Sequence, residues 1–197
     1  MSILFGITGA KASGKSTAAK FIRKNGIPVI EIDNLYIDIL KPGNKAHREI
    51  INLLGIDIMD NNGNVDMRRL GLLICKENWI KNYVDEMLEE EVDNFISNIL
   101  EVFSYHKINI MGLESGIIAN TRIHKYLNKV LLIKSKENNR LSRMCNNIGS
   151  DIIEKIFQID NDIGQGTYDY IIDNDGEIKE LHSNVLNFIK QLFPQNI

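Results

Sequence analysis

Lys15 and Ser16 close the stretch Gly9-Ala10-Lys11-Ala12-Ser13-Gly14-Lys15-Ser16-Thr17, which meets the pattern Gly, four free positions, Gly, Lys, Ser or Thr. Each residue type has a physical task. Gly9 and Gly14 permit backbone conformations that wrap successive N–H groups around one anion. A helix starting behind the loop adds roughly half a positive charge at its N-terminus. Lys15 is placed to reach β- and γ-phosphates, and the Ser16 hydroxyl to hold Mg2+. Lys11 puts a further cation inside the loop. The chemistry specified is binding of a nucleoside triphosphate with Mg2+.

Further polar residues fall where such a site needs them. Asp33 follows the apolar run 28–32, and in open parallel sheets ligands bind at the carboxyl ends of strands. Two readings stay open: a carboxylate facing an acceptor substrate, or the N-cap of a helix beginning near Asn34. Glu114, after the run 108–111, is a second carboxylate of this kind, although an exposed loop acid is the plainer reading. Arg140 and Arg143 lie three apart on one helix; a solvated surface is the plainer reading, and after a sheet strand in a nucleotide-binding protein they are candidates to clamp phosphate.

The elements that position these residues can be read from periodicity. Residues 3–8 form an apolar run of buried-strand length, and 17–24 read as a helix with Gly26 and Pro28 just beyond. Further strands are predicted at 28–32, 108–111, 130–133 and 170–172. Between the second and third strands lies a helical stretch. It holds a short helix at 35–40, the turn Asp60-Asn61-Asn62-Gly63-Asn64, and a helix capped by Asp66. A long helix over about 77–103 follows, with an apolar stripe beginning Trp79, Tyr83, Met87. The polar segment 145–167 contains a short helix near 152–159. The final helix carries a docking stripe of Ile178, Leu181, Val185, Leu186, Ile189 and Phe193.

Composition narrows the class. A net charge of −3 gives no electrostatic case for nucleic acid. Cys75 and Cys145 lack metal-ligand spacing and read as reduced thiols. The four histidines are scattered, and Asp173-Asn174-Asp175-Gly176 lacks the remaining ligands of a calcium loop. The chain runs directly into its first strand without a leader-like segment, and no apolar run approaches the ~20 residues that span a bilayer. A cytoplasmic protein without a membrane partner is expected. Its oligomeric state is not legible.

The order of these features resembles the dephospho-CoA kinases over almost the whole chain. The resemblance rests on the phosphate loop, Pro28-Val29-Ile30-Glu31-Ile32-Asp33, Lys41-Pro42-Gly43 and Asn62-Gly63-Asn64-Val65-Asp66 with Arg68 and Leu70. Trp79-Ile80, Arg143 and Asp169-Tyr170-Ile171-Ile172-Asp173-Asn174-Asp175-Gly176 complete it. It implies an α/β P-loop kinase fold: a five-stranded parallel sheet flanked by helices, with a helical substrate-binding insertion and a short lid. The nucleotide core would be 1–33, 108–141 and 168–197, the CoA-binding insertion 34–107, and the lid 142–167. The implied reaction transfers the γ-phosphoryl of ATP to the ribose 3′-hydroxyl of dephospho-CoA. Asp33 then matches the acid facing that hydroxyl, Lys15 and Arg143 act in transfer, and Asn174 lies in the turn beside adenine. Where the family carries a second lid arginine and a lid lysine, this chain has Asn147 and Gly164. Two further readings therefore stand: another small-molecule or nucleoside monophosphate kinase of this fold, or a nucleotide-binding protein with weakened catalysis.

Overall fold

The computed structural model describes residues 3–116, 118, 122–145 and 167–193, apart from the side chains of Asp33, Asn34, Tyr36, Ile37, Arg122 and Cys145. The lid assigned to 142–167 falls almost wholly outside the described residues, as do the helix near 152–159, Asn147 and Gly164.

The chain divides into two compact units, one of residues 1–31 and 103–197, the other of residues 32–102. The first holds a parallel sheet of five strands: β1 (Ile3–Thr8), β2 (Val29–Glu31), β3 (Ile110–Glu114), β4 (Lys129–Lys134) and β5 (Tyr170–Asp173), in the order β2-β3-β1-β4-β5. β1 is central and pairs with β3 and β4. A central parallel strand is covered on both faces, so it reads as an unbroken apolar run, and residues 4–8 are all buried. The phosphate-loop helix α1 (Lys15–Lys24) packs with the last helix, here α7 (Ile178–Leu192), beside the sheet. Ile7, Ala18, Ile22, Leu131, Ile133, Val185 and Phe188 form the centre of this core. The Phe188 ring meets Phe5 edge-on, with 5.4 Å between centroids.

Gly112 in β3 is required by packing. A Cβ there would lie 2.7 Å from the Phe5 ring. At the amino ends of β4 and β5, Asp169 accepts from Lys129 Nζ and the Val130 N–H, both at 2.8 Å. The Lys129 bond, partly offset by burial, holds this carboxyl below the usual carboxylate range.

The second unit is helical: α2 (Ile32–Ile39), α3 (Lys45–Leu54), α4 (Met67–Lys76) and most of α5 (Asn78–Tyr105). Asp66 caps α4 as expected, accepting from the N–H groups of Arg68 and Arg69. His47 is buried and bonded to the Gly63 carbonyl at 2.8 Å, which ties α3 to the 60–64 turn. Lys45 lies within 4 Å of Glu49, Glu90 and Glu91, chiefly Glu90 holding its ammonium above the ordinary lysine range.

Two apolar stripes differ from expectation. On α5, Trp79 and Tyr83 are exposed, while Ile80 and Val84 are buried. Rows one residue apart satisfy helical spacing equally well, and here the aliphatic row is the one covered. On α7 the buried row is Leu181, Val185, Phe188, Ile189 and Leu192, with Ile178 and Phe193 exposed at the ends. No helix among the described residues is long and apolar enough to cross a membrane.

Candidate active site

The loop between β1 and α1 lies at the carboxyl edge of the sheet. Three strands end there in register: Ile7 of β1 is opposite Glu114 of β3, which is opposite Glu31 of β2. The predicted helix start at residue 17 is corrected: α1 begins at Lys15, with Gly14 as its N-cap and no side-chain cap bond. The missing cap is why sequence signals placed the start too late. It also leaves the first-turn amides presented to the loop, the arrangement that receives an anion.

Both loop glycines are dictated by backbone angle and close approach. Gly9 has φ +149°, and a Cβ on it would lie 2.2 Å from the Ile133 carbonyl oxygen of β4. Gly14 has φ +105°, and its Cβ would lie 2.2 Å from Asn174 Nδ2. Between them, Ala12 takes a left-handed φ of 60°, which costs a non-glycine residue about 1 kcal/mol. Ala10 accepts from the Ser13 N–H at 3.1 Å, closing a tight turn. Lys15 Nζ donates to the Ala10 carbonyl at 3.4 Å, so its ammonium is folded over the loop. Lys11 is exposed at the loop's crest, and Thr17 is half-buried in the first turn of α1.

Glu114 is the residue the sequence undervalued. It is the last residue of β3, 5% exposed, and its Oε1 accepts from the Ser16 hydroxyl at 2.8 Å. The exposed-loop reading fails because β3 continues through this position, paired on both sides. Flanking Gly112, Ser115 and Gly116 suggested a loop; only the pairing reveals the strand.

Arg140 and Arg143 lie on α6 (Glu137–Cys145), Arg140 half-buried. Arg143 reaches back to the phosphate loop: Nη1 donates to the carbonyls of Ala12 (3.1 Å) and Ser13 (3.4 Å) and to Ser135 Oγ (3.2 Å). Its Nη2 donates to the Asn174 carbonyl at 2.7 Å. Asn174 is 7% exposed and donates from Nδ2 to the Ser13 carbonyl at 2.7 Å. Its neighbour Asp175 accepts from the Lys136 N–H, the Asn139 amide and the Ser135 hydroxyl. The Lys136 bond first, then Asn139, keeps this carboxyl below the usual carboxylate range. Asp33 is the second residue of α2, two past the end of β2, so the backbone excludes the N-cap reading; its side chain lies outside the described residues.

The structure thus brings Gly9 to Thr17, Glu114, Arg143 and Asn174 together at one edge. A buried carboxylate beside a serine hydroxyl is the hard-oxygen pair that magnesium prefers. Among the described residues no group of three or more His, Cys, Asp or Glu could hold a metal by itself.

Comparison with known proteins follows the same outline. The sequence model of the dephospho-CoA kinase family matches residues 3–180. A dephospho-CoA kinase of Fusobacterium nucleatum is 27% identical over 98% of this chain and 100% of its own length. A solved Thermus thermophilus protein superposes with a TM-score of 0.79 at 20% identity, covering 98% of both chains. A dephospho-CoA kinase from Campylobacter jejuni superposes at 0.72 with 17% identity over the full length of both.

Proposed function

The chain belongs to the dephospho-CoA kinase family, and from this premise we propose how its loops divide the work of phosphoryl transfer. It is a kinase that uses ATP to convert dephospho-CoA to CoA. The observation that carries the division of labour is the Ser16–Glu114 pair at the mouth of the phosphate loop. Loop N–H groups and the first turn of α1 bind the triphosphate, with Lys15 on its β- and γ-phosphates and Lys11 and Arg140 adding positive charge. Ser16 and Glu114 are the residues that would hold Mg2+. When bound, the ion neutralises charge developing on the phosphate oxygens. Asp33 orients the ribose 3′-hydroxyl and accepts its proton late, since transfer depends chiefly on positioning and charge. Residues 34–107 would hold the rest of the acceptor, and residues 142–167 would close over the donor. We place the reaction in the cytoplasm, with no nucleic-acid or membrane partner.

ADP release that requires both dephospho-CoA and Mg2+ tests the reading. Turnover with a nucleoside monophosphate instead would assign another acceptor, and nucleotide binding without transfer would make the chain a binder. Glu114→Gln checks the metal assignment. It is expected to raise the Mg2+ concentration for half-maximal turnover about 10- to 100-fold. An unchanged Mg2+ titration would leave Glu114 as no more than an anchor for Ser16.

A further inference from the structure

The Ser13 carbonyl is held from two directions, by Asn174 Nδ2 at 2.7 Å and by Arg143 Nη1 at 3.4 Å, within a residue that is fully buried. Arg143 also holds the preceding carbonyl, that of Ala12, and bonds the Asn174 carbonyl. The two side chains therefore grip the same turn, and Arg143 also holds the Asn174 backbone. They come from α6 and from the turn after β5, far from the loop in sequence.

The consequence follows from peptide geometry. A trans peptide is planar, and its N–H points opposite to its C=O. Fixing the Ser13 carbonyl outward, toward Asn174 and Arg143, turns the Gly14 N–H inward, toward the hollow where an anion is received. Gly14 cannot choose this orientation unaided. At φ +105° it sits in a left-handed conformation, and glycine visits this region about as readily as the right-handed one. Ala12, two residues earlier, is held left-handed against its own preference. The grip is in turn braced. Ser135 accepts from Arg143 and donates to Asp175 at 3.0 Å, and Asp175 also accepts from the Lys136 N–H and the Asn139 amide at the start of α6.

We propose that Arg143 and Asn174 are a coupled pair of positioning residues that act through the Ser13 carbonyl to aim the Gly14 N–H, and that neither acts by touching phosphate. This rests on the kinase reading above and assigns Arg143 a task different from the phosphate clamp suggested by its spacing from Arg140. Arg143→Lys keeps the cation but loses the planar fork that reaches the Ala12, Ser13 and Asn174 carbonyls together, and Asn174→Ser removes the reaching amide with little loss of polarity.

The test is a double-mutant cycle on dephospho-CoA-dependent ADP formation, with MgADP titrated into the same preparations to confirm an assembled site. Each single variant is expected to lower kcat about 100-fold, the cost typical of a misplaced catalytic contact, with KM for dephospho-CoA unchanged. The double variant is expected to match the worse single, because both act on one carbonyl. Losses that multiply, or an Arg143→Lys variant near wild-type rate, would overturn the proposal. If the wild type is inert toward dephospho-CoA, the kinase reading fails and the MgADP titration alone decides this one. Equal, non-additive losses of about tenfold in affinity would then support it, and additive or absent losses would overturn it.

Discussion

Lys15→Ala is expected to lower dephospho-CoA-dependent ADP formation by about 1,000-fold or more, the scale on which single phosphate-facing cations act in phosphoryl transfer. Lys15 opens α1, where no side chain caps the helix, and its Nζ lies over the loop at 3.4 Å from the Ala10 carbonyl. It is therefore poised over the hollow before any ligand enters. Negative charge spreads over the transferring group as the bond to the leaving phosphate lengthens. An ammonium fixed beside it stabilises that distribution more than it stabilises bound ATP. The loss should fall mainly on kcat, with a smaller weakening of nucleotide binding. Lys15→Arg should not restore the rate, since a planar fork does not reproduce a compact point charge. Activity of Lys15→Ala within tenfold of wild type would remove the residue from the mechanism.

Asp33→Asn should lower kcat by about 100- to 10,000-fold, the range for a positioned general base, and leave ATP affinity within about threefold. The case rests on where the backbone puts it. β2 ends at Glu31, level with Glu114 and Ile7 at the carboxyl edge, and Asp33 follows two residues later inside the first turn of α2. Asparagine retains the shape and one acceptor oxygen but cannot take the proton. Steady-state kinetics beside an ATP titration separate the possibilities. A parallel fall in ATP affinity would make Asp33 a metal or structural residue.

The sequence carried the donor half of this site further than the rest, for reasons that vary by residue. The phosphate loop is legible because its glycines and lysine are adjacent in the chain and its flanking strand is buried on both faces, so local composition records tertiary burial. Glu114 was obscured because local turn signals around it outweigh a strand pairing that lies about 80 to 110 residues away in sequence. The Asn174 side chain was beyond reach for the same reason. Its contact with Ser13 spans 161 residues, and resemblance pointed only to the turn it sits in. The start of α1 was missed because a helix meant to bind an anion omits the capping residue that would announce it. The exchange of Trp79 and Tyr83 for Ile80 and Val84 on α5 shows the limit of periodicity, which fixes a spacing but not which of two adjacent rows is covered.

The place of β2 in the sheet has one more consequence. It is a three-residue strand at the edge, bonded to β3 alone, whereas β1, which leads into the phosphate loop, is flanked on both sides. Local opening costs least where few ladder bonds must break. The strand that leads into the phosphate loop and the strand that leads to Asp33 thus differ in how many ladder bonds hold them. The phosphate loop follows a strand bonded on both sides, and Asp33 follows one bonded on a single side. Arg23 of α1 ties that helix to β2, donating to the Val29 carbonyl at 3.1 Å and to Glu31 Oε1 at 2.8 Å. That side chain fastens the edge strand to the helix that follows the phosphate loop.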